Sequence, residues 1–106
     1  MTGNIQVSIG GTRKRLQDVD DCWVDQQITR RQAQGQLVCV QVHIECDRAI
    51  QSLNTPTCGG VPGGSRPPNH LEQRIFDAWE RCNLTTSRFD ARDVMAFLKQ
   101  LMRMLE

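Results

Sequence analysis

The sequence predicts a small α+β domain with one mainly antiparallel sheet, and three observations lead to that fold class. Residues 37–46 alternate between β-branched apolar and polar side chains, which is typical of a strand with one buried face. Two segments near the C-terminus carry apolar residues at helical spacing. Residues 54–69 contain all four prolines, so a long loop should separate the sheet from these two helices.

The strand at 37–46 is the centre of the predicted sheet. Its buried side is formed by four β-branched residues, Val38, Val40, Val42 and Ile44. We expect Trp79 and Phe97, from the two C-terminal helices, to pack against them. A shift of one residue in register would turn all four side chains toward water.

A hairpin is predicted at the N-terminus. Residues 4–9 alternate in the same way and predict a strand. The pair Gly10-Gly11 that follows indicates a tight turn. Residues 13–17 are a candidate return strand, and their Arg-Lys-Arg run suits a sheet edge because charge discourages pairing with another chain.

Residues 20–34 could form either a helix or a further strand, and their ends favour the helix. Asp20 can cap it, with Val19 and Val24 at the two positions of a hydrophobic staple. Gly35 lies where a left-handed residue commonly ends a helix. Few residues of this segment are apolar, so we expect the helix to cover one side of the sheet only.

The chain after the central strand divides into an uncertain segment and a loop. Residues 47–53 fit either a short helical turn or a final strand. Residues 54–69 are expected to be the long loop, between the sheet part and the C-terminal helix pair. With 106 residues in all, we expect one domain spanning residues 1–106.

Both C-terminal helices have clear ends. Asn69 is predicted to cap the first, with Glu72 completing a capping box, and Asn83 is predicted to end it in the left-handed conformation. Asp90 is predicted to cap the second. The apolar stripe of the first comprises Leu71, Ile75, Ala78, Trp79 and Cys82, and that of the second comprises Val94, Phe97, Leu98, Leu101 and Leu105.

Composition bounds the function. There are 13 basic and 12 acidic residues, a net charge of +1, which argues against a dedicated nucleic-acid coat or a basic membrane-binding peptide. No apolar run is long enough to span a bilayer. The N-terminus has no basic region followed by an apolar stretch, so we expect no secretory signal and a cytoplasmic protein.

The cysteines support the same compartment. There are five, Cys22, Cys39, Cys46, Cys58 and Cys82. Because the number is odd and no C-x-x-C pair occurs, we expect free, reduced thiols rather than a disulfide framework. A leader absent from this sequence would change that expectation.

No metal or cofactor site is expected. Cys39 and His43 lie on one face of the predicted strand and Cys46 on the other, so the three cannot share a zinc ion without a bulge. The glycine-rich stretch does not match a nucleotide-binding loop, because Ser65 stands where that motif requires lysine.

Catalysis is not expected either. Cys58 is the candidate nucleophile, and a base would have to come from His43 or His70. The surroundings of Cys58 match no cysteine-protease signature. Glu45, two residues after His43, is the acid expected nearest to any pocket. A Cys58-centred enzyme is therefore the least favoured hypothesis.

Nucleic-acid binding is the alternative function. The basic residues that could form a patch are Arg13, Lys14, Arg15, Arg30, Arg31 and Arg66. Nearby aspartates dilute this patch, and the chain has no tyrosine and few other aromatic residues for stacking on bases. A solvent-exposed basic surface without a ligand is the simpler interpretation.

The leading hypothesis is a non-enzymatic protein-binding or self-associating module. The last helix carries Met95, Met102 and Met104 beside its main apolar stripe, and methionine is common at adaptable contact surfaces. We therefore expect a homodimer that buries this helix, the twofold arrangement being the commonest one. The opposing interpretation is that these methionines belong to the core of a monomer.

Overall fold

A computed structural model describes residues 5–46, 49–59 and 70–104. It confirms the α+β fold class. The strands are β1 (Ile5–Ile9), β2 (Thr12–Arg15), β3 (Val40–Cys46) and β4 (Ala49–Asn54), and the α-helices are α1 (Asp21–Ala33), α2 (His70–Arg81) and α3 (Ala91–Met104). Short 3-10 turns occupy Leu16–Asp18 and Pro56–Cys58.

The four strands form one antiparallel sheet in the order β2-β1-β3-β4. Val7 pairs with Val42, which in turn pairs with Leu53, so apolar residues lie in a row across three strands. The four β-branched residues predicted to face the core are all buried. β3 begins at Val40 rather than at Leu37, because β1 ends at Ile9, opposite Val40.

The hairpin turn between β1 and β2 lies against the end of α1. Gly10 and Gly11 have positive φ values of 58° and 89°, which side chains disfavour. The Arg31 guanidinium lies so close to Gly10 that a Cβ added there would clash with Nη1. The same Nη1 donates hydrogen bonds to the carbonyl oxygens of Ile9, at 3.5 Å, and Gln27, at 3.2 Å.

The segment at 20–34 is a helix, as its ends indicate. The Asp20 carboxylate accepts a hydrogen bond of 2.7 Å from the Trp23 amide, which satisfies a free N–H of the first turn. Val24 and Ile28 of the same helix are buried. Gly35 has a φ of 76° just beyond the end of α1.

The uncertain segment after β3 forms strand β4, which completes the sheet. The loop predicted at 54–69 begins with an ordered turn, since Thr55 is buried and its N–H donates to the Val40 carbonyl at 3.1 Å. Residues 60–69, with the predicted Asn69 cap, lie outside the described part of the chain.

The ends of the C-terminal helices agree with the local signals. Asn83 has a φ of 67° after α2. Asp90 and Asp93 cap α3 reciprocally, each carboxylate accepting from the backbone N–H of the other residue. Trp79 of α2 meets Phe97 of α3 edge to face, with ring centroids 5.2 Å apart. The helices and the apolar face of the sheet share one core.

The prediction that all cysteines are free is wrong for Cys39 and Cys58, which form a disulfide. The β3–β4 hairpin and the turn at Pro56–Cys58 return the chain to the start of β3. This proximity depends on strand pairing, so spacing along the sequence did not reveal it. Cys22 and Cys82 are free, one exposed and one buried. No helix among the described residues is long and apolar enough to cross a membrane.

The polar face of the sheet as candidate functional site

The side of the sheet opposite the core is lined by polar side chains, and we call it the polar face. Strand pairing arranges it in two rows. One row runs Arg15, Gln6, His43, Ser52, and the other runs Arg13, Ser8, Gln41, Asn54. Because successive side chains of a strand point to opposite sides of the sheet, the residues of these rows lie together on the side away from the core.

His43 lies near the middle of this face and contacts two neighbouring side chains. Its Nδ1 is 3.0 Å from the Ser52 hydroxyl, and its Nε2 is 3.4 Å from a guanidinium nitrogen of Arg13. Arginine can only donate, so Nε2 is the acceptor, and Nδ1–H then donates to Ser52. Burial, and secondarily the Arg13 charge, lower the pKa of His43, which keeps the ring neutral.

The second row is held by an amide pair. The Gln41 side chain donates to the Asn54 carbonyl oxygen at 3.0 Å, linking β3 to β4. Ser8, which lies between Gln41 and Arg13 in this row, is buried. Arg13, at the end of the row, is exposed. The centre of the polar face is therefore fixed by contacts within the chain, while its basic end is open to a partner.

One end of the polar face is closed by the Cys39–Cys58 disulfide. The Thr55 hydroxyl accepts from the Val40 amide at 3.1 Å, and the Thr57 hydroxyl donates to the Val38 carbonyl. These bonds and the disulfide fix the 3-10 turn to β3. While the disulfide is formed, Cys58 holds no thiolate for nucleophilic attack and Cys39 holds none for zinc.

The other residues considered for catalysis or for zinc are His70, Glu45 and Cys46. His70 is exposed at the start of α2, and the Glu45 and Cys46 side chains lie outside the described part of the chain. Within residues 5–46, 49–59 and 70–104, no three metal-ligating side chains come together.

The basic residues proposed for nucleic acid do not form one patch in the part of the chain that the structure describes. Arg13 and Arg15 point to the polar face, but Lys14 points to the core side, where its ammonium lies 5.3 Å from the Trp23 ring centroid. Arg31 is bonded to two backbone carbonyls. Arg30 is exposed on helix α1 rather than on the sheet, and Arg66 is outside the described residues.

The methionines proposed for an interface are partly used by the core. Met95 is only 8% exposed and belongs to the core cluster. Met102 and Met104 are partly buried and pack against that cluster. The apolar surplus of α3 is therefore smaller than its sequence indicates.

A groove of about 380 Å³ lies between the end of α1, the segment before β3 and the loop before α3. Leu37 lines it and is 77% exposed, which makes it the single large apolar side chain exposed in the described ranges. Gln32, also on the wall, donates to the Phe89 carbonyl at 2.8 Å. The sequence offered no signal for this groove, because its walls come from the stretch between residues 32 and 38, from Thr57 and from residues 87–90, which lie far apart in the sequence.

Sequence reasoning also missed Gln6, Ser52 and Asn54 as members of a surface. The signal was present in the alternation of each strand, but it could be used only once the strand order was known. No known protein family, no curated protein and no solved structure matches the chain.

Proposed function

We propose that the protein is a non-enzymatic binding module and that its polar face binds an acidic segment of another protein. The observation that carries this proposal is the open basic end of the polar face. Arg13 and Arg15 are both exposed there, on strand β2 at the edge of the sheet.

The charges on this face support an anionic partner. The ion pairs formed among the described residues involve Arg92 with Asp90 and Lys99 with Asp21, all on or beside helices. Among the described residues, the Arg13 guanidinium is hydrogen-bonded to the neutral imidazole of His43. It therefore retains donors for a carboxylate, which arginine binds in bidentate geometry.

A protein partner is favoured over nucleic acid for two reasons. The rows of the polar face contain no phenylalanine, tyrosine or tryptophan on which a base could stack, and the His43 ring is half-buried and bonded to Ser52 and Arg13. The basic residues are also divided between the two layers of the fold, so they do not form the continuous positive surface that follows a phosphate backbone.

Selection of a random peptide library on the immobilised protein tests the proposal. We expect enrichment of aspartate and glutamate in the peptides that bind. The Arg13→Gln/Arg15→Gln double variant should bind them at least about tenfold more weakly, because the loss of even one hydrogen bond to a charged group costs about 1.5 to 3 kcal/mol.

The matched control is Arg30→Gln/Arg103→Gln, which removes the same charge from exposed helical positions. Equal weakening by both double variants would indicate a general charge effect and contradict the assignment to the polar face. Tighter, Arg13-dependent binding of single-stranded oligonucleotides would favour the nucleic-acid alternative.

Self-association is a second candidate, and α3 is one surface for it because Met102 and Met104 remain partly exposed. Met95 no longer supports it. A cytoplasmic location also stays a prediction, now without support from free thiols, since a disulfide is more typical of an oxidising compartment.

A further inference from the structure

The two edges of the sheet differ in how they are protected. β2, at one edge, reads Thr-Arg-Lys-Arg, and such charge discourages another strand from pairing. β4, at the other edge, reads Ala-Ile-Gln-Ser-Leu-Asn and carries no charge or proline. Among the described residues no strand pairs with the outer side of β4.

The backbone groups on that outer side can be assigned from the hydrogen bonds at the end of β4. The Thr55 N–H points inward, to the Val40 carbonyl. Because N–H and C=O groups alternate in direction along a strand, the groups of Leu53 also point toward β3. Those of Ile50, Ser52 and Asn54 point outward, away from the sheet.

We propose that a second copy of this chain pairs antiparallel along β4, with Ser52 on the twofold axis. Ser52 then exchanges N–H···O=C bonds with the partner's Ser52, and Ile50 does so with the partner's Asn54. The two sheets become one continuous sheet, which joins their polar faces side by side. This self-association goes beyond the acidic-partner proposal and can fail independently of it.

A second copy is the occupant that the edge itself indicates. In a twofold-symmetric contact the same patch of each copy meets itself, so the patch must be complementary to itself. An uncharged strand meets this condition, because its outward N–H and C=O groups can pair with those of an antiparallel copy. Like charges directly opposite each other would oppose such pairing, and β4 has none. The charged β2 edge would not satisfy this condition.

Two variants that carry opposite charges at position 52, Ser52→Lys and Ser52→Glu, test the proposal. The wild-type chain should show, by light scattering, a mass twice its 12.1 kDa that falls on dilution. Ser52→Lys and Ser52→Glu should each be monomeric, because identical charges face each other at the axis. An equimolar mixture of the two should recover the dimer mass.

Ser52→Ala is the control, since it loses the hydroxyl near His43 but adds no charge, and it should remain dimeric. Circular dichroism verifies that each variant is folded. Hydrogen exchange gives an independent measure: the Ser52 amide should be protected in a concentration-dependent way, while the Leu53 amide should be protected at all concentrations.

A wild-type mass of 12.1 kDa that is unchanged by concentration would overturn the proposal. So would a folded Ser52→Lys variant that dimerises like the wild type, or a charge-swapped mixture that stays monomeric. A dimer lost in Met102→Lys but kept in Ser52→Lys would overturn it as well and would move the interface to α3.

Discussion

Arg13 and His43 meet across an intervening strand: the guanidinium of Arg13 on β2 reaches over β1 to within 3.4 Å of the His43 Nε2 on β3. The contact requires a neutral imidazole, because a protonated ring has no acceptor to offer and would repel the guanidinium. The polar face therefore depends on the protonation state of one side chain.

The pKa of His43 should be measurably below its ordinary value of 6.5, through burial first and Arg13 second. Since the folded state then binds the proton more weakly than the unfolded state, this residue stabilises the fold fully above pH 6.5. That contribution falls as the pH drops below 6.5 and through the folded-state pKa. NMR titration of the His43 ring and urea unfolding at several pH values measure both effects.

Arg13→Gln provides the control for that titration. It should raise the pKa of His43 only part of the way to the ordinary value, because burial, the larger cause, remains. A full return would mean that the charge of Arg13, rather than burial, dominates.

Val40→Asp should unfold the domain. Val40 is completely buried, and an unpaired buried charge costs several kcal/mol, which approaches the whole stability of a small domain. Gln41→Asp, one residue along on the polar face, should be much milder. Thermal melting of both variants distinguishes the faces, and equal melting temperatures would contradict the strand register.

Denatured protein kept free of reductant should react with a thiol reagent at no more than three cysteines, because Cys39 and Cys58 are joined. Cys39→Ser and Cys58→Ser should each lower the free energy of unfolding by about 3 kcal/mol, as expected for a loop of about this length. The double variant should cost little more than either single one. Five reactive thiols would contradict the disulfide.

Gly10→Ala should destabilise the fold more than Gly11→Ala. Both residues have positive φ, which costs a side chain about 1 to 2 kcal/mol. At Gly10 the new Cβ also displaces Arg31, whereas at Gly11 it meets open space. In a double-mutant cycle measured by urea unfolding, Arg31→Ala should remove the excess cost at Gly10. Additive effects would show that the two residues do not interact.

Local signals predicted much of the fold, because caps, staples and alternation act between residues close in sequence. Asp20 and Asp90 cap the starts of α1 and α3, and Asn83 follows the end of α2 in the left-handed conformation, as expected. What could not be predicted depends on distant segments. The disulfide needs the β3–β4 hairpin, and the length of β3 is limited by where β1 ends. The burial of Met95 needs α3 to be packed into the shared core.

The polar face was predictable only in part. The alternation around His43 predicted that it lies on the side opposite the core. Its neighbours Arg13 and Ser52 belong to other strands, and the order of the strands in the sheet could not be predicted from the sequence. Lys14 and Arg31 illustrate the same limit, because grouping by charge could not show that one lies over Trp23 and the other binds backbone carbonyls.

The pairing of β1 with β3, across the intervening α1, has a kinetic consequence. The β1–β2 and β3–β4 hairpins each close short loops, whereas Val7 meets Val42 only after a much longer stretch of chain has been ordered. Because closing longer loops costs more entropy, we expect the two hairpins to form early and to join in the rate-limiting step. Truncating Val7 or Val42 should then slow refolding as well as lower stability, and an effect on unfolding rates alone would contradict this order.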